Sequence, residues 1–229
     1  NLSVNEVWGN KTSLLVGDFL FSRAFQLMAK YGNTAVLKLL SDTSVIISEG
    51  EMLELSNDKD PTINEDIYYD VINGKTASLF SAACQVGGIS AQGSDRELEY
   101  LKSFGANFGM SFQLIDDAID YSSSNIVLGK NIGDDFKEGK VTLPIILAYL
   151  RSNKAEKDFW KKTIVHLKQE KDDFHHAINI IKKYDCIEDT IDRARHFANV
   201  AIDSLGSFKD NNYKIGLINL IQSSLNRLN

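Results

Sequence analysis

The chain has 229 residues, 43% of them hydrophobic and 24% charged, with a formal net charge of −6 and only 2 prolines. This is globular composition with length for one sizeable core, and the acidic balance excludes a general nucleic-acid binder, which would carry a basic stripe. Two cysteines, Cys84 and Cys186, do not make a disulfide framework and fit a reduced, cytoplasmic compartment, and no apolar run of about 18 residues is present to cross a membrane.

Apolar residues recur at helical spacing along almost the whole chain, and nothing alternates with period two for long. Ser3 with Glu6 marks the start of a helix over about 4–31, ended by Gly32. Asn33 or Thr34 opens a second, to about Leu55, and "SNDKDP" reads as a loop. Thr62 with Glu65 predicts a third helix running through Ala91, and Ser94 with Glu97 caps a fourth that reaches Tyr121. "SSSNIVLGKNIGDDFKEGKVT" is a polar loop with glycines. Thr142 is expected to cap a helix over "LPIILAYL", with Pro144 tolerated in its first turn. Residues 154–228 predict three or four shorter amphipathic helices. Helices of about 27 residues are roughly 40 Å long. With no repeat and no internal boundary, they predict one all-α domain over 1–229, a single bundle of long antiparallel helices around a central cleft. "NLSVNEVWGN" has no initiator Met and runs straight into a helix, so the chain is expected to be N-terminally incomplete.

Three stretches carry chemistry. In "FQLIDDAIDY", residues 112–121, a helical wheel places Gln113, Asp116, Asp117 and Asp120 on one stripe about 100° wide, with Leu114, Ile115, Ala118 and Ile119 opposite. Two carboxylates ~5 Å apart repel by about 3 kcal/mol at an effective dielectric near 20. Such a stripe is either a solvated acidic face or the lining of a cleft that binds cations; the apolar flanks favour the cleft. Oxygen ligands without His or Cys suit Mg²⁺. Next, "GKNIGDDFKEGK" brings Lys130, Lys137 and Lys140 close to Asp134 and Asp135, with Gly129, Gly133 and Gly139 allowing tight backbone paths. Lysines serve phosphate as point charges, and the alternative is a solvated charged loop. Finally, "GKTASLF", residues 74–80, is not a P-loop, because Tyr69 stands where a Walker motif needs glycine. Lys75 and Thr76 sit there among small residues, forming either a helix-packing seam or a place for a ligand to come close. "DKDPTINEDIYY" is no EF-hand, and the four histidines have no metal-ligand spacing. Gly105 and Gly109, one turn apart, are expected to permit close helix packing.

Together these stretches resemble the trans-isoprenyl diphosphate synthases, in their polyprenyl (octaprenyl-type) branch. "FQLIDDAIDY" is similar to the family's second aspartate-rich motif, "GKTASLF" to its Lys-Thr segment and "LGKNIGDDFKEGKVTLP" to its phosphate-binding loop. "VWGNKTSLLVGDFLFSRAFQLM" resembles the helix after the first aspartate-rich motif, and "SEGEMLEL" also fits. The resemblance covers about residues 4–150 and fades beyond. It departs from the family in one respect: the first aspartate-rich motif and its arginines would fall just before residue 1. Either an N-terminal region belongs to the full protein or the chain is a noncatalytic subunit of a heteromeric synthase; the first is favoured.

The resemblance implies an isoprenoid-synthase bundle and Mg²⁺-dependent condensation of isopentenyl diphosphate with an allylic diphosphate to a trans-polyprenyl diphosphate, for a quinone side chain. The allylic substrate loses diphosphate, its carbocation alkylates isopentenyl diphosphate, and loss of a proton regenerates an allylic diphosphate. It implies that Asp116, Asp117 and Asp120 hold metal, Asp116 most directly. Lys75, Lys130 and Lys140 would contact diphosphate, Asp135 would stand behind the metal ligands, and Thr76 and Gln113 would offer oxygens to the cation or its waters. Homodimerisation is expected as well, since the first helix has more apolar residues than one stripe can bury in its own chain: Val7, Trp8, Leu14, Leu15, Phe19, Leu20, Phe21, Phe25, Leu27 and Met28. The 229 residues alone, with one carboxylate stripe, are expected to be inactive unless Glu51 and Glu54 supply a second.

Overall fold

A computed structural model describes residues 3–122 and 133–228. Among them every regular element is a helix. The chain groups into two compact units, residues 1–42 and 43–229.

In the first unit, α1 (Val4–Tyr31) begins with the expected capping box, in which the Ser3 hydroxyl accepts from Glu6 N–H and the Glu6 carboxylate accepts from Ser3 N–H. The helix is not unbroken as expected. Gly9, at φ 79°, leaves helical geometry and kinks it, a conformation that costs glycine nothing. Trp8, Leu14, Phe19, Leu20 and Phe21 are exposed. The start of α2 (Thr34–Ser56) also lies here, with the Asn33 carboxamide accepting from Val36 N–H at 2.9 Å.

The second unit takes the rest of α2 and all later helices. α3 (Glu65–Ile72) starts at Asn64, whose side chain accepts from Ile67 N–H, and not at Thr62. Thr62 is held back by Asp60, whose carboxylate accepts from both its amide and its hydroxyl. This local turn outcompetes the capping box that the sequence offers. The expected single helix to Ala91 is instead α3, a π-helical turn over Asn73–Ala77, and α4 (Ser78–Ser90). α5 (Asp95–Asp120) carries the capping box of Ser94 and Glu97. The loop before Thr142 contains a short helix α6 (Asp134–Glu138), bounded by Gly133 and Gly139 at φ 82° and 74°. Thr142 holds extended N-cap dihedrals ahead of α7 (Leu143–Arg151), but its hydroxyl makes no capping bond. Four helices follow: α8 (Lys154–Trp160), which runs into a π turn, α9 (Asp173–Lys183), α10 (Cys186–Ser204) and α11 (Asn212–Leu225).

α5 is the axis of this unit, packed against α4 and α10 along its length. Gly105 and Gly109 permit close packing, as expected, against α4 and the π turn before it: a Cβ on Gly105 would meet Phe80 O at 2.5 Å, and one on Gly109 would meet Ala77 Cα at 2.6 Å. One core gathers Leu114, Ile115, Leu143, Ile145, Leu147, Trp160, Ile164 and Ile181, and a second gathers Phe104, Phe108, Leu205 and Ile221. Each large side chain there contributes roughly 1.5–3 kcal/mol by leaving water. α5 thus has its apolar back locked in place, which fixes where its aspartates point.

Candidate active site

The π turn follows from small residues. Gly74 faces Gly50 of α2 so closely that a Cβ on Gly50 would meet the Lys75 amide nitrogen at 2.6 Å. One extra residue in the turn shifts the register of Lys75 and Thr76 relative to the rest of the helix, and such bulges recur where a side chain must be re-aimed. Lys75 Nζ reaches back to α2, 2.5 Å from Glu54 Oε2 and 3.4 Å from Glu51 Oε2. Thr76 faces α5, its hydroxyl donating to Gln113 Oε1 at 3.1 Å.

On α5 the three aspartates have different surroundings. Asp117 is 2% exposed. Its Oδ2 accepts from the Tyr68 hydroxyl and its Oδ1 from Gln113 Nε2, both at 2.7 Å. Burial pushes its carboxyl up to about 7, against the downward pull of those two hydrogen bonds. Asp116 is half-buried and carries Arg227 of the C-terminal turn, whose Nη2 lies 3.1 Å from Asp116 Oδ1. The same guanidinium lies over the Phe112 ring, 5.1 Å from its centroid. Asp120 accepts the Asp135 amide at 3.1 Å, and burial, with Asp135 next, raises it to about 6. Behind it Asp135 holds Lys140 at 3.2 Å. Burial pulls the Lys140 ammonium down, but Asp135, Asp117 and Glu54 together keep it above the ordinary lysine range.

A cavity of about 480 Å³ joins these elements. Lys75, Thr76, Gln113, Asp116, Asp117 and Lys140 all line it, with Glu54, Tyr68 and an apolar side formed by Leu55, Ile63, Val71 and Ile72. Asp120 and Asp135 lie outside its lining. Lys137 is exposed and pairs with Asp134, and Lys130 lies outside the described residues. Among the described residues no three His, Cys, Asp or Glu side chains converge on one metal-sized point. The donor set still fits Mg²⁺, which is bound through one or two carboxylates together with substrate phosphates and waters, not by an all-protein cage. Sequence reasoning missed Tyr68 and Arg227. Both reach the aspartates only through tertiary folding, Arg227 from 111 residues away, and no local pattern marks them.

The sequence matches the polyprenyl synthetase family over residues 1–181. It is 37% identical to the octaprenyl diphosphate synthase of Escherichia coli over 225 residues, 98% of this chain and 69% of that protein. It is 35% identical to the octaprenyl diphosphate synthase of Haemophilus influenzae, over 98% of this chain and 68% of that protein. Among solved structures, a polyprenyl synthase from Caulobacter crescentus, complexed with calcium and isoprenyl diphosphate, superposes with a TM-score of 0.95 at 38% identity, covering 100% of this chain and 70% of that one. A decaprenyl diphosphate synthase from Rhodobacter capsulatus gives 0.93 at 38% identity, with the same coverage. A bundle built on α5, a cavity that gathers lysines and aspartates, and likeness to these proteins over nearly the whole sequence have one common account: the chain belongs to the polyprenyl synthetase family.

Proposed function

We propose that the protein is a Mg²⁺-dependent trans-polyprenyl diphosphate synthase, condensing isopentenyl diphosphate with an allylic diphosphate to supply the side chain of a quinone. The observation that carries this reading is the shared cavity. It sets two lysines and Asp116 beside the acceptor oxygens of Thr76 and Gln113, and it continues into an apolar wall.

The hard step is the departure of diphosphate, a highly charged anion, from a carbon that turns positive. Lys75 and Lys140 stand where that anion's charge develops, and fixed cations in a partly dehydrated site stabilise it more than water does. Mg²⁺, when bound, neutralises the diphosphate and strengthens it as a leaving group. Asp116 would hold Mg²⁺ from the cavity wall, which Asp117 also lines, with Asp120 on the same helix and Asp135 holding Lys140 behind them. Thr76 and Gln113 turn oxygens toward the electron-poor carbon. Leu55, Ile63, Val71 and Ile72 keep water from quenching it.

In this reading the enzyme works in the cytoplasm as a homodimer. The exposed apolar residues of α1 support a self-association surface. No described helix is long and apolar enough to cross a membrane. The test is turnover of isopentenyl and farnesyl diphosphates by the full-length gene product with Mg²⁺, with extraction and sizing of the products. Chain elongation that stops on chelation and returns with Mg²⁺ is expected; no elongation by well-folded protein would refute the proposal.

A further inference from the structure

Four cavity-lining side chains form one hydrogen-bonded chain whose members come from α3, the π turn and α5. The Tyr68 hydroxyl donates to Asp117, Gln113 Nε2 donates to the other Asp117 oxygen, and Thr76 donates to Gln113 Oε1. Every donor in the chain points toward Asp117. Ionised, Asp117 only accepts, and both of its partners donate to it, so it fixes which end of the Gln113 amide faces it. The amide oxygen must then face Thr76 and take the hydroxyl proton. What remains for the cavity at Thr76 is lone pairs. Tyr68 is 3% exposed and Asp117 2%, so neither can exchange its partner for water cheaply.

We propose that Tyr68 and Asp117 are positioning residues that polarise the chain through Gln113 to Thr76, so that the cavity is offered acceptor oxygens to an electron-poor substrate carbon. This rests on the prenyl-transfer reading above. It gives Asp117 a different task from Asp116: it orients neighbours and does not hold the metal. The two tasks have opposite signatures. A ligand lost weakens Mg²⁺–diphosphate binding, whereas a polariser lost slows turnover at unchanged binding.

Asp117→Asn is nearly isosteric and discriminates best. An asparagine can accept from Tyr68 while donating to Gln113, which turns the amide over and leaves Thr76 to direct its proton into the cavity. Tyr68→Phe removes only the anchoring donor. Both variants, in the full-length gene product, are to be measured for kcat, KM for the allylic diphosphate, calorimetric affinity for inorganic diphosphate with Mg²⁺, and Tm. A fall in kcat of about tenfold for Tyr68→Phe and about a hundredfold for Asp117→Asn is expected. KM and Mg²⁺–diphosphate affinity are expected to stay within about twofold, and the Tm of Asp117→Asn not to fall. An unchanged kcat overturns the inference. So does a loss of Mg²⁺–diphosphate affinity that parallels the loss of kcat in Asp117→Asn, which would make Asp117 a ligand. Should Tyr68→Phe fail to fold, Asp117→Asn decides alone. Wild-type protein without prenyl transfer would refute the functional reading itself, and this inference with it; wild-type turnover with unaffected variants would refute only the inference.

Discussion

Arg227 places Nη2 3.1 Å from Asp116 Oδ1, across 111 residues of sequence. A guanidinium thus stands on the carboxylate proposed to take the metal most directly. Half-buried ion pairs of this kind contribute about 1 kcal/mol. Mg²⁺ binding to the substrate-free protein therefore competes with the C-terminal turn. Arg227→Gln is expected to tighten that binding about fivefold, read by calorimetric titration with Mg²⁺ alone. Unchanged or weaker binding would show that the pair does not oppose the metal.

Lys75 pairs with Glu54 and Glu51, so diphosphate would compete with those two carboxylates for it. Glu54→Gln is expected to raise affinity for inorganic diphosphate several-fold, and Lys75→Met to lower it about tenfold with little change in Tm. If Lys75→Met instead lost stability at constant affinity, the lysine would belong to helix packing and not to the ligand.

Stability is expected to depend on pH through Asp117 and Asp120, raised from 3.8 to about 7 and about 6. The folded state holds these protons more tightly than the unfolded chain does. The resulting stabilisation is complete below about pH 4 and is lost as pH rises through 6 and 7. For buried Asp117 it is on the order of a few kcal/mol. Substrate-free protein should melt several degrees lower at pH 8 than at pH 5, and Asp117→Asn should flatten that difference. Calorimetric scans across this range check it; a Tm that rises steadily from pH 5 to 8 would contradict it.

Gly50→Ala should destabilise the protein by roughly 1–3 kcal/mol, because the new methyl meets main chain that cannot swing aside. A Cβ there would lie 2.6 Å from the Lys75 amide nitrogen and 2.9 Å from Gly74 C. Moving α2 off the π turn also moves Lys75, so diphosphate affinity should fall along with the denaturation midpoint. A variant with wild-type midpoint would mean that the two backbones part without cost.

Much of the helical layout was legible in the sequence because its signals are local. Ser3 with Glu6 and Ser94 with Glu97 cap where their spacing says they should, and the apolar back of 112–121 is buried as its wheel requires. Motif spacing marks Lys75, Thr76, Gln113, Asp116, Asp117 and Lys140 along the chain, and folding brings all six to one cavity. Sequence alone determined the all-α class, the long helices and the residue types of the site, since helical periodicity, caps and charge are properties of neighbours along the chain. Only the tertiary structure decided what each aspartate faces. Gly50 against Gly74 belongs to a π turn that no propensity predicts, Tyr68 comes from 49 residues away to bury Asp117, and Arg227 folds back onto Asp116. Those partners are set by how helices pack, and packing depends on surfaces far apart in sequence, which spacing along one helix cannot encode.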